Sequence, residues 1–245
     1  MRTRVISYAE RPELLDSEDW GEVWPEYNTH GDVINHYWAR LYDDFPDYQF
    51  SLQDDDEGLV LAQGHCAPCL WDRTTEGLPE GIDDVIAQAF ALRESGEPGN
   101  CVTALAIVVP PEHQGKRLSS VMVKAMAELA RSHRSSDLIA PVRPNWKERY
   151  PLAPIEEYAQ WTRADGLPFD PWIRVHHRLG GEVLKPAPKS LRITGSVEEW
   201  ERWIGMPLPA SGSYVFPHGL APLQIDREED IGSYWEPNVW MRHRL

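Results

Sequence analysis

The stretch that decides the fold is Val102–Ala130, which reads VTALAIVVPPEHQGKRLSSVMVKAMAELA. It opens with an apolar run typical of a buried strand, and two prolines end that run. A short polar turn follows over residues 112–117. Apolar residues then return at three- and four-residue spacing from Leu118 onward, which predicts an amphipathic helix. The stretch is therefore a strand, a polar turn and a helix.

The start of this helix is a candidate anion site. The first N–H groups of a helix have no partner inside it, and the aligned peptide dipoles add positive potential there. Phosphate groups bind readily at such a helix end. Lys116 and Arg117 lie in the same turn, where they would add charge-assisted hydrogen bonds. These residues predict a phosphate-binding turn.

Composition narrows the class of protein. The chain has 245 residues, with 39 acidic and 24 basic side chains and a net charge of −15. This balance argues against nucleic acid and anionic membrane as partners, since both require basic surfaces. No secretory signal and no membrane-spanning run is evident, so we expect a cytoplasmic protein. Cys66 and Cys69 lack the second pair that a zinc site requires, and we expect structural thiols and no metal.

Hydrophobic periodicity predicts the order of the elements. The predicted strands lie at 3–8, 47–53, 59–71, 102–109 and 137–142, and the predicted helices at 17–48, 82–94 and 118–130. This order is that of an α/β (α+β) fold with a mixed, mostly antiparallel sheet and helices on both faces. We expect one domain over residues 1–245, with an insertion at 143–169 and a C-terminal extension at 185–245.

A second informative segment is Asp170–Leu184. Asp170 is a good N-cap, Pro171 suits the first helical position, and Gly180 is placed to end a helix in the left-handed region. Val183 then restarts a strand. The segment therefore predicts a short helix that runs into a strand.

Together the two segments resemble motifs A and B of the GCN5-related N-acetyltransferases, the GNAT superfamily, and the chain resembles a GNAT-like subfamily of actinobacteria. In motif A, Gln/Arg-x-x-Gly-x-Gly/Ala wraps the pyrophosphate of acetyl-coenzyme A (acetyl-CoA). The residues that fill those six positions here are Gln114, Gly115, Lys116, Arg117, Leu118 and Ser119. Because Arg117 stands where glycine is usual, we expect helical dihedral angles for it, since a side chain disfavours positive φ.

The resemblance implies an acyltransferase that moves an acetyl or other acyl group from acyl-CoA to a small-molecule acceptor, most simply an amine. Backbone groups of Ile107, Val108 and Val109 would hold the pantetheine and the acyl carbonyl. His176 takes the place of a tyrosine that protonates the departing thiolate, and histidine can do so near neutral pH.

The remaining site residues are harder to assign. Glu112 in the polar turn is a candidate general base, and three other candidates are His65, Glu236 and His243. We expect the 143–169 insertion to form a lid or wall over the acceptor. The residues expected to contact the acceptor are Asn145, Tyr150 and Trp172.

Two other readings stay open. The fold could serve a binding or regulatory module that holds acyl-CoA without turnover. It could also act on acyl-CoA by decarboxylation or hydrolysis. Three roles stay open for the aromatic C-terminal run at 232–240: it completes the wall of the acceptor site, closes the sheet as a strand, or forms a homodimer contact. His176 and His177 are adjacent on the predicted helix and point apart, so they do not suggest a metal pair.

Overall fold

One sheet forms the frame of the molecule. A computed structural model describes residues 2–14 and 23–245, and within them nine strands form that sheet. The strands are β1 (Thr3–Ser7), β2 (Gln49–Asp54), β3 (Val60–Cys69), β4 (Cys101–Val108), β5 (Asp137–Val142), β6 (Glu182–Gly195), β7 (Gly212–Tyr214), β8 (Leu223–Asp226) and β9 (Ile231–Arg244). The helices are α1 (Ile34–Trp38), α2 (Leu41–Asp44), α3 (Ile82–Ser95), α4 (Leu118–Ser132), α5 (Ile155–Tyr158), α6 (Pro171–Arg178) and α7 (Val197–Ile204).

The sheet is mixed and mostly antiparallel. Its order is β1-β2-β3-β4-β5-β9-β8-β7, and β6 lies along the other edge of β9. Neighbouring strands run antiparallel except for β4 and β5, which run parallel. The predicted fold class is therefore confirmed.

The parallel pair β4 and β5 opens soon after it forms. Val102 pairs with Leu138 and Thr103 with Ile139, and the pairing ends there. Beyond Thr103, the edge of β4 therefore faces a gap rather than a strand. Its N–H and C=O groups on that side are available to a ligand, because each strand residue brings one donor and one acceptor.

Two apolar layers cover the two faces of the sheet. Phe90 of α3 is buried in the same cluster as Trp240 of β9. Met122 of α4 is buried in another cluster with Met241. Successive strand residues point to opposite faces, so the neighbours Trp240 and Met241 anchor both layers. Each such side chain stabilises the fold by about 1.5–3 kcal/mol through burial.

The C-terminal segment is joined to the sheet by β9, which pairs with β5, β6 and β8. Helix α7 starts with a capping box between Ser196 and Glu199. Trp200 is fully buried below it and donates its indole N–H to the carbonyl of Gly232 at 3.1 Å. A Cβ at Gly232 would lie 2.2 Å from this indole, so only glycine fits. The division of the chain into one domain with an extension stays a prediction.

The 143–169 segment, called the wall here, packs against the apolar layer under α4. Tyr158 is buried in the α4 layer, and Trp161 and Phe169 pack against it. The Asp170 carboxylate accepts hydrogen bonds from the Tyr158 hydroxyl and the Trp146 N–H, both at 2.8 Å. These bonds anchor the segment to the start of α6.

The predicted helix over 17–48 is wrong for the part that the structure describes. Residues 15–22 lie outside the described residues, and the rest contains the short helices α1 and α2 and two single 3-10 turns, at 26–29 and 46–48. Pro25 and Pro46 interrupt helical hydrogen bonding because proline lacks an N–H. None of the helices within residues 2–14 and 23–245 is long and apolar enough to cross a membrane.

Candidate active site

The turn before α4 presents free backbone donors. The backbone N–H groups of residues 115–119 make no hydrogen bond within the described part of the chain. Gly115 and Arg117 both have positive φ, 77° and 62°. Gln114 donates its side-chain amide to the carbonyl of Val109 at 3.1 Å, which ties the turn to the end of the strand. Together these groups form a candidate anion site at a helix N-terminus, called the anion cradle here.

The expectation of helical dihedral angles for Arg117 is wrong. Its φ of 62° and ψ of 20° are left-handed, as a glycine in this position would be. The left-handed conformation brings Cβ close to the following carbonyl oxygen and costs a residue with a side chain about 1–2 kcal/mol. The turn keeps its shape because the surrounding strand and helix over-determine it.

This strain can be measured with two variants that both remove the guanidinium. Arg117→Gly is expected to be more stable than Arg117→Ala by about 1 kcal/mol, because glycine adopts positive φ without steric cost. Denaturant unfolding of both proteins gives the difference. Both variants should weaken acetyl-CoA binding equally, since neither carries the charge. Equal stabilities would contradict the left-handed assignment.

A cleft of about 890 Å³ runs from this turn through the gap between β4 and β5. The β4 side is lined by residues 104–109, the turn by 113–115 and 117–119, and the β5 side by 140–143. On the far side of the gap the cleft continues along helix α1, where Trp38 lines it. It therefore joins the anion cradle to the part of the cleft beside Trp24, Trp38 and Glu236, called the second chamber here, and the cleft as a whole is large enough for a small molecule.

A buried ion pair lies in the wall of this second chamber. Nε of Arg143 donates to Glu236 at 2.8 Å, and the same carboxylate accepts bonds from Asn28, Tyr27 and Tyr234. Both oxygens of Glu236 thus have two donors. Nη2 of Arg143 donates to the Tyr27 hydroxyl and to a backbone carbonyl. Nη1 takes part in none of these bonds, and Arg143 is one of the residues that line the cleft.

His176 of α6 is buried, and it lines the cleft next to Trp172. Its Nδ1 lies 2.9 Å from Nε2 of His243 on β9. Burial, together with the nearby His243, lowers the pKa of His176 to about 3. The imidazole is therefore neutral at pH 7 before the reaction starts, and protonation of the departing thiolate by His176 stays a prediction.

A second neutral histidine lies on β3. Nδ1 of His65 is 3.2 Å from the Oε1 of Gln49, and the amide nitrogen of Gln49 donates to the carbonyls of Phe45 and Cys66. This fixes Gln49 with its oxygen toward the ring, so His65 carries its proton on Nδ1. Burial lowers the pKa of His65 to about 4.

The structure brings most of the predicted site residues to the cleft. Those that line it are Ile107, Val108, Val109, Gln114, Gly115, Arg117, Leu118, Ser119, Asn145, Trp172 and His176. Three others do not: Lys116 and Glu112 are exposed outside the lining, and Tyr150 packs on Trp161 in the wall. Glu112 lies in a solvated turn just after a proline pair, where no element holds it toward the cleft.

Sequence reasoning missed the Arg143–Glu236 pair as a unit. The two residues are 93 positions apart and meet because β5 ends next to the middle of β9. The signals that could have found them are a charged residue at the end of the apolar run 137–142 and an acid within the C-terminal aromatic run. The N-cap role of Asp170 is confirmed, since its side chain accepts from the N–H groups of Trp172 and Ile173.

A diverging parallel strand pair followed by an anion-binding turn defines the class of protein, the GNAT fold. Two solved structures share it over their full length: the loading GNATL domain of CurA from Lyngbya majuscula, with a TM-score of 0.58 and 15% identity, and the GphF GNAT-like decarboxylase in complex with isobutyryl-CoA, with 0.56 and 14%. This chain covers 98% and 99% of those chains, and all of it is aligned in both cases.

Sequence comparison agrees with the fold. Arginine N-acetyltransferase avaD of Aspergillus versicolor is 29% identical over 97% of this chain and 92% of its own length. No family model matches the chain. The chain has the GNAT fold, and its similarity to this N-acetyltransferase agrees with the resemblance to the GNAT superfamily. The actinobacterial subfamily stays a prediction.

Proposed function

We propose that this protein is an N-acyltransferase that moves an acyl group from acyl-CoA to the amine of a small molecule. One observation carries the proposal: a single cleft links the anion cradle, the open edge of β4 and a second chamber. The name of the avaD relative supports acyl transfer to an amine and suggests arginine as the acceptor.

The donor would be held by this chain's backbone. Free N–H groups of the turn, with Arg117 beside them, fit a pyrophosphate, and the unpaired edge of β4 fits the amides of a pantetheine arm. Ile107, Val108 and Val109 would supply the backbone groups near the acyl carbonyl. The thioester supplies an activated acyl group, and the protein's task is to orient it and to manage protons.

The second chamber suits an amino acid that carries a guanidinium. Nη1 of Arg143 has no partner among the bonds described above, so it can donate to an α-carboxylate, and guanidinium–carboxylate bonds are strong. Trp38 and Trp24 line the same chamber, and an indole face attracts a guanidinium. We therefore propose arginine as the acceptor, with transfer to its α-amine.

A panel of acceptors tests this. We expect acetylarginine, detected by mass spectrometry, when the full chain is incubated with acetyl-CoA and arginine. Argininamide, which lacks the carboxylate, and ornithine, which lacks the guanidinium, should each react at least about tenfold more slowly, a difference of about 1.4 kcal/mol. Acyl-CoA binding with no product across the panel would favour a binding module instead. Thiol release without an acceptor would indicate hydrolysis or decarboxylation.

We also propose a cytoplasmic location. Cys66, Cys69 and Cys101 are free thiols, all buried. Unpaired cysteines fit a reducing compartment. A homodimer through the C-terminal strands is a further proposal, which size-exclusion chromatography with light scattering tests directly.

A further inference from the structure

The histidine pair His176 and His243 has a defined arrangement of protons. The backbone carbonyl of Leu179 acts to raise the pKa of His243 against the lowering by burial, which favours a ring proton directed toward that carbonyl. Because Nε2 of His243 faces Nδ1 of His176, a proton directed toward Leu179 sits on Nδ1 of His243. Since a neutral imidazole carries one proton, Nε2 of His243 is the acceptor.

The position of the ring proton on His176 follows from its position on His243. With an acceptor at 2.9 Å, the neutral His176 holds its single proton on Nδ1 and donates it to His243. Its Nε2 is then a bare lone pair. This nitrogen has no hydrogen-bond partner among the described residues, and His176 lines the cleft. The pair therefore presents a proton acceptor to the cleft.

Close packing holds both rings in place. A Cβ at Gly181 would lie 2.9 Å from Cε1 of His243 and 2.8 Å from the carbonyl oxygen of His176. The Trp172 ring stands edge-on to His176, with centroids 4.5 Å apart. Only glycine at position 181 allows this close approach of α6 to β9. A larger residue there would push the two histidine rings apart.

We propose that His176 is a proton shuttle, which accepts the proton of the acceptor amine at Nε2 and then passes it to the departing sulfur, with His243 as its positioning residue. This rests on the proposed acyl transfer. The amine nitrogen forms a bond to the acyl carbon and the carbon–sulfur bond breaks. The one proton lost by nitrogen travels through Nε2 to sulfur, so amide and thiol form with no other reactant.

A neutral histidine suits this task. Burial keeps Nε2 unprotonated at pH 7, so it is ready to accept without first losing a proton. The amine becomes strongly acidic once it has bonded to the acyl carbon, so a weak base is sufficient. The imidazolium formed donates from Nδ1 to His243, and it is acidic enough to give its proton to a thiolate.

Nuclear magnetic resonance of the protein without ligand tests the tautomers. The ring ¹⁵N shifts of His176 at pH 7 should show a protonated Nδ1 and an unprotonated Nε2. His243→Leu should abolish that preference because the acceptor is gone, whereas His243→Gln should keep it because the amide oxygen can accept. A proton found on Nε2 of wild-type His176 would overturn the shuttle.

Kinetics test the role itself. His176→Asn should lower kcat about 100-fold, with little change in the Kd for acetyl-CoA by calorimetry. His243→Leu should lower kcat about tenfold and His243→Gln should restore much of it. His36→Asn, at an exposed position of α1 that is not part of the cleft lining, is the matched control and should not change kcat.

The outcomes separate the shuttle from the proposed function. Unchanged kcat in a folded His176→Asn, or a larger loss in His65→Asn, would overturn the shuttle while acyl transfer stands. Absence of transfer by the wild type would end the proposed function and the shuttle together. If His176→Asn does not fold, the shuttle is still tested by the ring tautomers of wild-type His176 and by the kcat values of His243→Leu and His243→Gln.

Discussion

Replacing Ser119 with glutamate is expected to raise the Kd for acetyl-CoA about 100-fold, or about 2.7 kcal/mol. Ser119 lines the cleft at the second position of α4, among the free N–H groups of the turn. A carboxylate there would repel a diphosphate and would itself accept the N–H groups that the diphosphate needs. Isothermal titration of the variant and the wild type measures the change.

The Ser119→Glu variant should not be less stable than the wild type. An acidic side chain at a helix N-terminus is favourable by about 0.3–1 kcal/mol, so Tm should be unchanged or slightly higher. Val121→Glu is the matched control, since Val121 is exposed on the same helix and is not part of the cleft lining. It adds the same charge and should leave the Kd within about twofold. Unaltered binding by Ser119→Glu would place the phosphates elsewhere.

The parts of the fold that could be predicted are those with local causes. The strand, turn and helix of Val102–Ala130 follow from apolar periodicity, and Asp170, Pro171 and Gly180 mark a helix by capping chemistry alone. The long helix expected over 17–48 was wrong for its described part because apolar spacing does not report the breaks that Pro25 and Pro46 impose.

The site was predictable only where a motif fixes it. The turn residues and His176 lie at the cleft because their positions follow from local sequence. Whether His176 donates or accepts a proton depends on His243, 67 positions away, and on the carbonyl of Leu179. Glu112 was selected by residue type in the turn and Tyr150 by residue type in the insertion, and local sequence does not say which way a side chain in a loop points.

The largest effect on stability is expected for Arg143→Met, which should lower the free energy of unfolding by about 3–5 kcal/mol. Glu236 is only 2% exposed. Without Arg143 it keeps the Asn28 amide and two tyrosine hydroxyls but loses its only cation among the described residues. A buried carboxylate without a counter-charge is costly. Denaturant unfolding gives the difference.

The double variant Arg143→Met/Glu236→Met separates pairing from desolvation. Removing both charges should recover most of the lost stability, because two apolar side chains of similar size replace an ion pair whose burial was itself expensive. The coupling free energy of the cycle should therefore be large. If the double variant is no more stable than Arg143→Met alone, the stability lost in Arg143→Met does not come from an unpaired Glu236 carboxylate.

The same double variant decides whether Arg143 also selects the acceptor. If Nη1 binds the α-carboxylate, a folded protein without Arg143 should lose its preference for arginine over argininamide, with the ratio of kcat/KM values falling toward one. Transfer to argininamide should remain, since neither turn nor His176 is altered. A preserved preference would mean that another donor in the chamber binds the carboxylate. Burial of the Arg143–Glu236 ion pair costs desolvation free energy. Its presence in the wall of the cleft is best explained if Nη1 of Arg143 binds the carboxylate of the acceptor.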